Sequence, residues 1–167
     1  MKKHLFYCLL ALPLMMFTSC GSDDDGDEPK NVDETVVVKD DGTTNNGSIF
    51  SAIDDKNFFL DYIKYTVEEG HLTVSGYDKV EFKGIAKIVS KITYKGNTYE
   101  VLSIKGQPYS SDEPGAFGLC KILTSVNIPS SVTIIEDRAF MGCSSLTEVN
   151  IPNSVTTIGC TVFYNCI

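Results

Sequence analysis

The chain has 167 residues, of which 22 are aspartate or glutamate, 14 lysine or arginine, six cysteine and two histidine, and its formal net charge at pH 7 is -8. The charge is uneven: residues 21–56 hold 11 acidic and three basic residues, while 57–167 carry a net of only -2 and nine basic residues that are scattered rather than striped, which argues against a nucleic-acid surface. With so few histidines, and with no G-x-S-x-G, H-E-x-x-H or glycine-rich phosphate loop, the sequence offers no catalytic residue, no metal site and no cofactor site.

At the N-terminus Lys2 and Lys3 precede an apolar run from Leu5 to Phe17, too short to span a bilayer as a mature helix and suited to an export signal. Thr18 and Ser19 stand directly before Cys20, which resembles a lipobox, although Phe17 replaces the preferred leucine. The resemblance implies that residues 1–19 are a lipoprotein signal peptide and that Cys20 is acylated as the mature N-terminus. Two or more acyl chains give stable anchoring to a membrane, whereas one is marginal.

From Gly21 the composition turns acidic and polar, and such a segment buries too little apolar surface to offset its ordering entropy. Residues 20–56 are therefore expected to form an acidic flexible tether, in which the apolar Val36 to Val38 is assigned neither strand nor coil. An acidic run after a lipid-bearing cysteine also resembles the surface-export signals of Bacteroidetes lipoproteins, which implies an outer-membrane protein facing the cell exterior. Asp23 to Glu28 is rich in carboxylates but lacks the glycine at the sixth position that a calcium loop requires.

Residues 57–100 read as short strands and tight turns, a small antiparallel β cap. Asp61 to Val67 and His71 to Ser75 alternate around Glu69-Gly70; Ile92 to Tyr94 and Thr98 to Val101 flank Gly96-Asn97; Lys79 to Phe82 and Ile85 to Ser90 supply further strand material. Such a unit covers the open edge that a stacked fold would otherwise expose.

Beyond it the chain repeats itself. LTSVNIPSSVTIIEDRAFMGCSS, starting at Leu123, is followed by LTEVNIPNSVTTIGCTVFYNCI, starting at Leu146, with 12 of 22 comparable positions identical at a spacing of 23 residues. A period in the twenties is the signature of a solenoid whose coils bury their apolar sides only by stacking. The interior is expected to hold Leu123, Val126, Ile128, Phe140 and Cys143 of one coil and Leu146, Val149, Ile151 and Phe163 of the next. Pro129 and Pro152 end the first strand of each unit. A degenerate coil begins at Val101: Val101 and Ile104 match Val132 and Ile135, and Ala116, Phe117 and Cys120 match Ala139, Phe140 and Cys143. Eleven residues between Ile104 and Ala116 replace three in the next coil, so this excess loops out, carrying Tyr109, Asp112 and Glu113 as candidate contacts.

The L-x-x-V-x-I-P, V-x-x-I and A-F-x-x-C frame resembles the BspA-like leucine-rich repeats of bacterial surface proteins; Val162 for alanine and Cys160 for Asp or Ser depart from it. The resemblance implies a mostly β fold, a short leucine-rich-repeat solenoid over residues 101–167 preceded by the cap. It also implies non-catalytic recognition or adhesion, with a protein ligand such as host extracellular matrix or another cell surface. A rival reading is an accessory glycan- or peptide-binding lipoprotein of a nutrient uptake system. Ser125, Asn127, Glu148 and Asn150 flank the inward strand positions and are expected to form the outward polar ladder. Cys120, Cys143 and Cys166 share one rung position, where free buried thiols or a disulfide engaging Cys160 are both open readings. Because the sequence stops one residue after Cys166, a truncated piece of a longer repeat protein is the favoured expectation.

Overall fold

The computed structural model describes residues 35–39, 42–108, 110, 111 and 113–166. The chain divides into two units, Met1–Lys30 and Asn31–Ile167, and all described residues lie in the second. They form strands and no helix: β1 Thr35–Val37, β2 Phe50–Ala52, β3 Asn57–Leu60, β4 Ile63–Glu68, β5 His71–Tyr77, β6 Ile85–Lys87, β7 Lys91–Tyr94, β8 Asn97–Ile104, β9 Ser125–Asn127, β10 Ile134–Ile135, β11 Glu148–Asn150 and β12 Thr157–Ile158.

The first part is an antiparallel sheet in which β2, β3, β4 and β5 pair in chain order. Its tight links are Asp61-Tyr62 and Glu69-Gly70, all four at positive φ, the backbone that matches the twist of a two-residue hairpin. Strand β4 thus starts at Ile63 rather than Asp61, because Leu60 pairs directly with Ile63 across the turn. The next hairpin turns at Lys95-Gly96 (φ 50° and 75°), one residue earlier than Gly96-Asn97, since Asn97 is already paired with Tyr94. Lys79 to Phe82 forms a turn instead of a strand: the Asp78 carboxylate accepts the amides of Val80 and Glu81 at 2.8 and 3.1 Å.

Two parallel ladders make the stacked part. In one, β6, β9 and β11 lie side by side, with Ile85, Ser125 and Glu148 in one row and Lys87, Asn127 and Asn150 in another. In the other, β5 pairs with β8, β8 with β10 and β10 with β12, so Ile104, Ile135 and Ile158 are aligned. The antiparallel cap is therefore continuous with this second ladder through β5. The first ladder begins at β6, whose outer edge has no strand partner among the described residues.

Two expected boundaries shift. The tether does not extend through residue 56: β1 pairs in parallel with β7, Val36 is fully buried, and β2 packs on β3. Acidic neighbours do not prevent this, because alternation sends Val36 and Val38 inward, each less than a tenth exposed. The repeats also start before residue 101, since β6, which fell within the expected cap, is the first strand of the first coil and is in register with β9. The hairpin of β7 and the start of β8 is an insertion within that coil.

The stack is reinforced by recurrent threonines placed just before its strands. The amide and hydroxyl of Thr124 both donate to the Gly84 carbonyl, at 2.7 and 3.1 Å. Thr147 does the same to Thr124 at 2.9 and 3.2 Å, and on the other ladder Thr156 to Thr133 at 2.9 and 3.3 Å. Inside, one contiguous core runs from the cap through the coils. Along it stand Tyr77, Phe117, Phe140 and Phe163, with ring centroids 5.9, 5.4 and 5.4 Å apart and planes within 7° of parallel. Aromatic neighbours at these distances add to the stabilisation from burial alone.

Phe140 is fully buried between two of these rings. We predict that Phe140→Ala destabilises the fold by about 3–5 kcal/mol, from lost burial and a residual cavity. Tyr164→Ala, at a side chain that is 59% exposed, should change stability by no more than about 0.5 kcal/mol. Urea denaturation followed by circular dichroism measures both, and equal midpoints for the two variants would refute a shared aromatic interior.

Candidate functional site

Strand alternation determines which side chains the first ladder presents. Val126 and Ile128 point into the core, and Ser125 and Asn127, between and beside them, are half-buried on the outward side. In the next coil Glu148 and Asn150 are exposed and align with Ser125 and Asn127. Beside them β6 adds Ile85, which is 59% exposed, and Lys87. The outward face is thus two aligned rows, Ile85–Ser125–Glu148 and Lys87–Asn127–Asn150, mixing one apolar, two charged and three neutral polar side chains. Sequence reasoning picked out four of these six. Ile85 and Lys87 escaped it because they stand 40 positions before Ser125 and Asn127, not 23.

The other candidates fall in different places. Glu113 is exposed on the loop that leaves the first coil, while Tyr109 and Asp112 lie outside the described residues, as does Cys20. That loop is closed at its base by the Ala116 amide on the Lys105 carbonyl at 2.8 Å. Of the expected core residues, Leu123, Val126, Ile128, Phe140 and Cys143 are buried, but Leu146, Val149 and Phe163 are only partly so. Ile151, expected inside, is 37% exposed. Its equivalent Ile128 is buried because the following coil covers it, and no described coil covers Ile151.

The corner next to the second ladder depends on close backbone approach. The Gly106 amide donates to the Glu136 carboxylate at 3.0 Å, and a Cβ on Gly106 would stand 2.1 Å from the Asp137 carbonyl oxygen. On the other side a Cβ on Gly159 would meet the Asp137 amide at 2.4 Å. Asp137 in turn accepts the Cys160 amide at 2.7 Å. Cys160 occupies the Asp137 position of the next coil, and its side chain is exposed.

No disulfide links the described cysteines. The Cys143 thiol donates to the Phe117 carbonyl at 3.0 Å, and Cys166 to the Phe140 carbonyl at 3.1 Å, so each thiol ties its coil to the one before. Burial, followed by the neighbouring Cys166 and Cys120, pushes the Cys143 thiol up to about 12. Among the described residues no group of histidine, cysteine and carboxylate side chains is arranged to hold a metal ion.

Stacked coils with two parallel ladders, a proline after the first strand and an aromatic at the corner define a leucine-rich-repeat solenoid. Residues 110–167 match the family described as BspA type Leucine rich repeat region (6 copies), so this stretch is similar to repeats of that type. Among solved structures, a leucine-rich repeat protein from Bacteroides ovatus is similar at 38% identity and a TM-score of 0.55, over 65% of this chain and 27% of its own. One from Bacteroides capillosus shows the same fold at 24% identity and a TM-score of 0.53, over 62% of this chain and 71% of its own. A leucine rich cell surface protein from Faecalibacterium prausnitzii shares the fold at 23% identity and a TM-score of 0.50, over 70% of this chain and 30% of its own. This chain thus spans about a quarter of the Bacteroides ovatus protein's length, 27%. No curated protein matches it.

The thiolate is the reactive form of cysteine, so exposure and acidity set the order of modification. At about pH 8, iodoacetamide should label exposed Cys160 at least roughly tenfold faster than Cys143. Peptide mass spectrometry over a labelling time course reads the ratio. Comparable rates under native conditions would contradict the thiol-to-carbonyl tie between coils.

Proposed function

We propose that this protein is a non-catalytic recognition module held at the outer surface of a bacterial cell by a lipid on Cys20, with the first parallel ladder binding a protein partner. The observation that carries the reading is the pair of aligned outward rows on β6, β9 and β11. Their side chains stand outside the core, so packing does not dictate which residues occupy them. The Faecalibacterium protein, described as a cell surface protein, supports the location. The lipobox-like residues before Cys20 support the anchor. An adhesin-type role, with host extracellular matrix or another cell surface as partner, is the finer form of the proposal.

The test is binding of the purified chain to a panel of matrix proteins and, in parallel, to a glycan array. A matrix protein should be bound, and the triple variant Asn127→Ala, Glu148→Ala, Asn150→Ala should lose at least about tenfold in affinity with its melting temperature unchanged. Binding to glycans alone would move the protein to nutrient capture, and matrix binding untouched by the triple variant would remove the first ladder as its site. For the anchor, Cys20→Ala should shift the protein from the membrane fraction to the soluble fraction.

A further inference from the structure

The second ladder carries a feature that the proposed recognition face does not use. A groove of about 700 Å³ crosses it, lined by Val67, Glu68 and Glu69 at the β4–β5 hairpin, by Leu102 of β8 and by Ile134 and Glu136 at β10. Ile134 and Glu136 also line an adjoining hollow of about 320 Å³, which continues past Asp137 to Thr157 of β12. Together the two run across the strands from β4 to β12. That is four inter-strand steps of about 4.8 Å, or roughly 19 Å, the length of about six extended residues.

Its chemistry is consistent along that length. The floor is aliphatic: Ile134 is 39% exposed, and Leu102 and Val67 are half-buried. The walls carry four carboxylates, Glu68, Glu69, Glu136 and Asp137, while Lys56 is the one lysine among the lining residues. Lys105 pairs with Glu68 at 3.4 Å, and Thr73, hydrogen-bonded to Ser103 at 2.9 Å, also reaches Glu68 at 3.2 Å. Glu69 and Glu136 have no ion-pair partner among the described residues. No phenylalanine, tyrosine or tryptophan lines either hollow, and the one ring there is the small imidazole of His71 at the hairpin, so the broad flat platform on which a sugar ring stacks is missing. Lysine and arginine fit such a surface, because their long stems cover aliphatic groups while the charged end stays wet.

We infer that the groove on the second ladder takes an extended basic protein segment, in which lysines or arginines alternate with small apolar residues. The cationic ends face Glu69 and Glu136 and the stems lie on Leu102 and Ile134. This goes beyond the recognition role of the first ladder and uses none of its residues.

The probe is a fluorescein-labelled decapeptide alternating lysine and valine, followed by fluorescence anisotropy with the full chain. A glutamate-valine decapeptide and spermine serve as comparisons. The lysine-valine peptide should bind saturably and at least about tenfold more tightly than either comparison, with affinity falling as salt is raised. Glu69→Gln combined with Glu136→Gln, a pair of changes that removes both charges yet keeps an acceptor for the Gly106 amide, should weaken it at least about tenfold. Ile134→Lys, a second variant that adds a cation to the exposed floor, should do the same. The Asn127, Glu148 and Asn150 alanine variant should leave it unchanged, so failure of the first-ladder reading is distinguishable from failure of this one. Absence of saturable binding, equal affinity for spermine or the glutamate peptide, or binding that survives a folded groove variant would each overturn the inference.

Discussion

The structure depends on one constraint: successive coils must lie in parallel register on both ladders at once. Ser125 lies beside Glu148 on the first ladder while Ile135 lies beside Ile158 on the second, and both pairs are 23 residues apart. Equal offsets on the two sides bring the corners into register as well, so Phe117, Phe140 and Phe163 stack face to face. A slip of one residue on either ladder would turn its inward side chains out and separate the rings. The threonines strengthen the same register, since each donates twice to a carbonyl of the coil before and so holds the start of its strand at one depth.

The first coil meets this constraint despite being longer. Its offset to the next coil is 40 residues at Gly84 and Thr124, 31 at Leu102 and Thr133, and returns to 23 at Phe117 and Phe140. The excess leaves the coil in two places, as the hairpin of β7 and β8 and as the loop between Lys105 and Ala116, each closed at its base by backbone bonds. Val101 donates to Ser90 across the first, and Ala116 to Lys105 across the second, both at 2.8 Å. Loop closure grows costly only slowly with length, so a coil admits such additions if its two ends are pinned. The hairpin is put to structural use, because β7 is the partner that brings β1 and Val36 into the body.

What the sequence shows and hides follows from this arrangement. The two regular coils are legible because equal spacing repeats nearly all of the inward residues, from Leu123 and Leu146 to Phe140 and Phe163. The first strand of the first coil is hidden, since Ala86 takes the place of Val126 at an offset no periodic search would try. Strand β1 is obscured because the acidity of its neighbours dominates the local composition and masks the alternation of Val36 and Val38. The threonine ties are visible in principle, as Thr124 and Thr147 recur at the repeat spacing, but their role needs the carbonyl above to be seen. The groove has no linear signature at all. Glu68, Leu102 and Ile134 are brought together only because β5, β8 and β10 are neighbours.

The division between interior and exterior also explains how one short stack presents two surfaces of different character. On each ladder, residues one step apart along a strand face opposite ways, so the inward set is constrained by packing while the outward set is constrained by little except solubility. The first ladder, built from three strands, presents two aligned rows of mixed side chains. The second is walled on one side by the β4–β5 hairpin and on the other by the loop after β8, and those walls turn a strand face into a groove. Glu68 and Glu69 come from the cap, so that wall can change chemistry without disturbing the register, whereas Glu136 and Asp137 belong to the coil itself and accept the Gly106 and Cys160 amides. Substitutions at well-separated positions outside the core act almost independently, so the two surfaces are free to serve different partners.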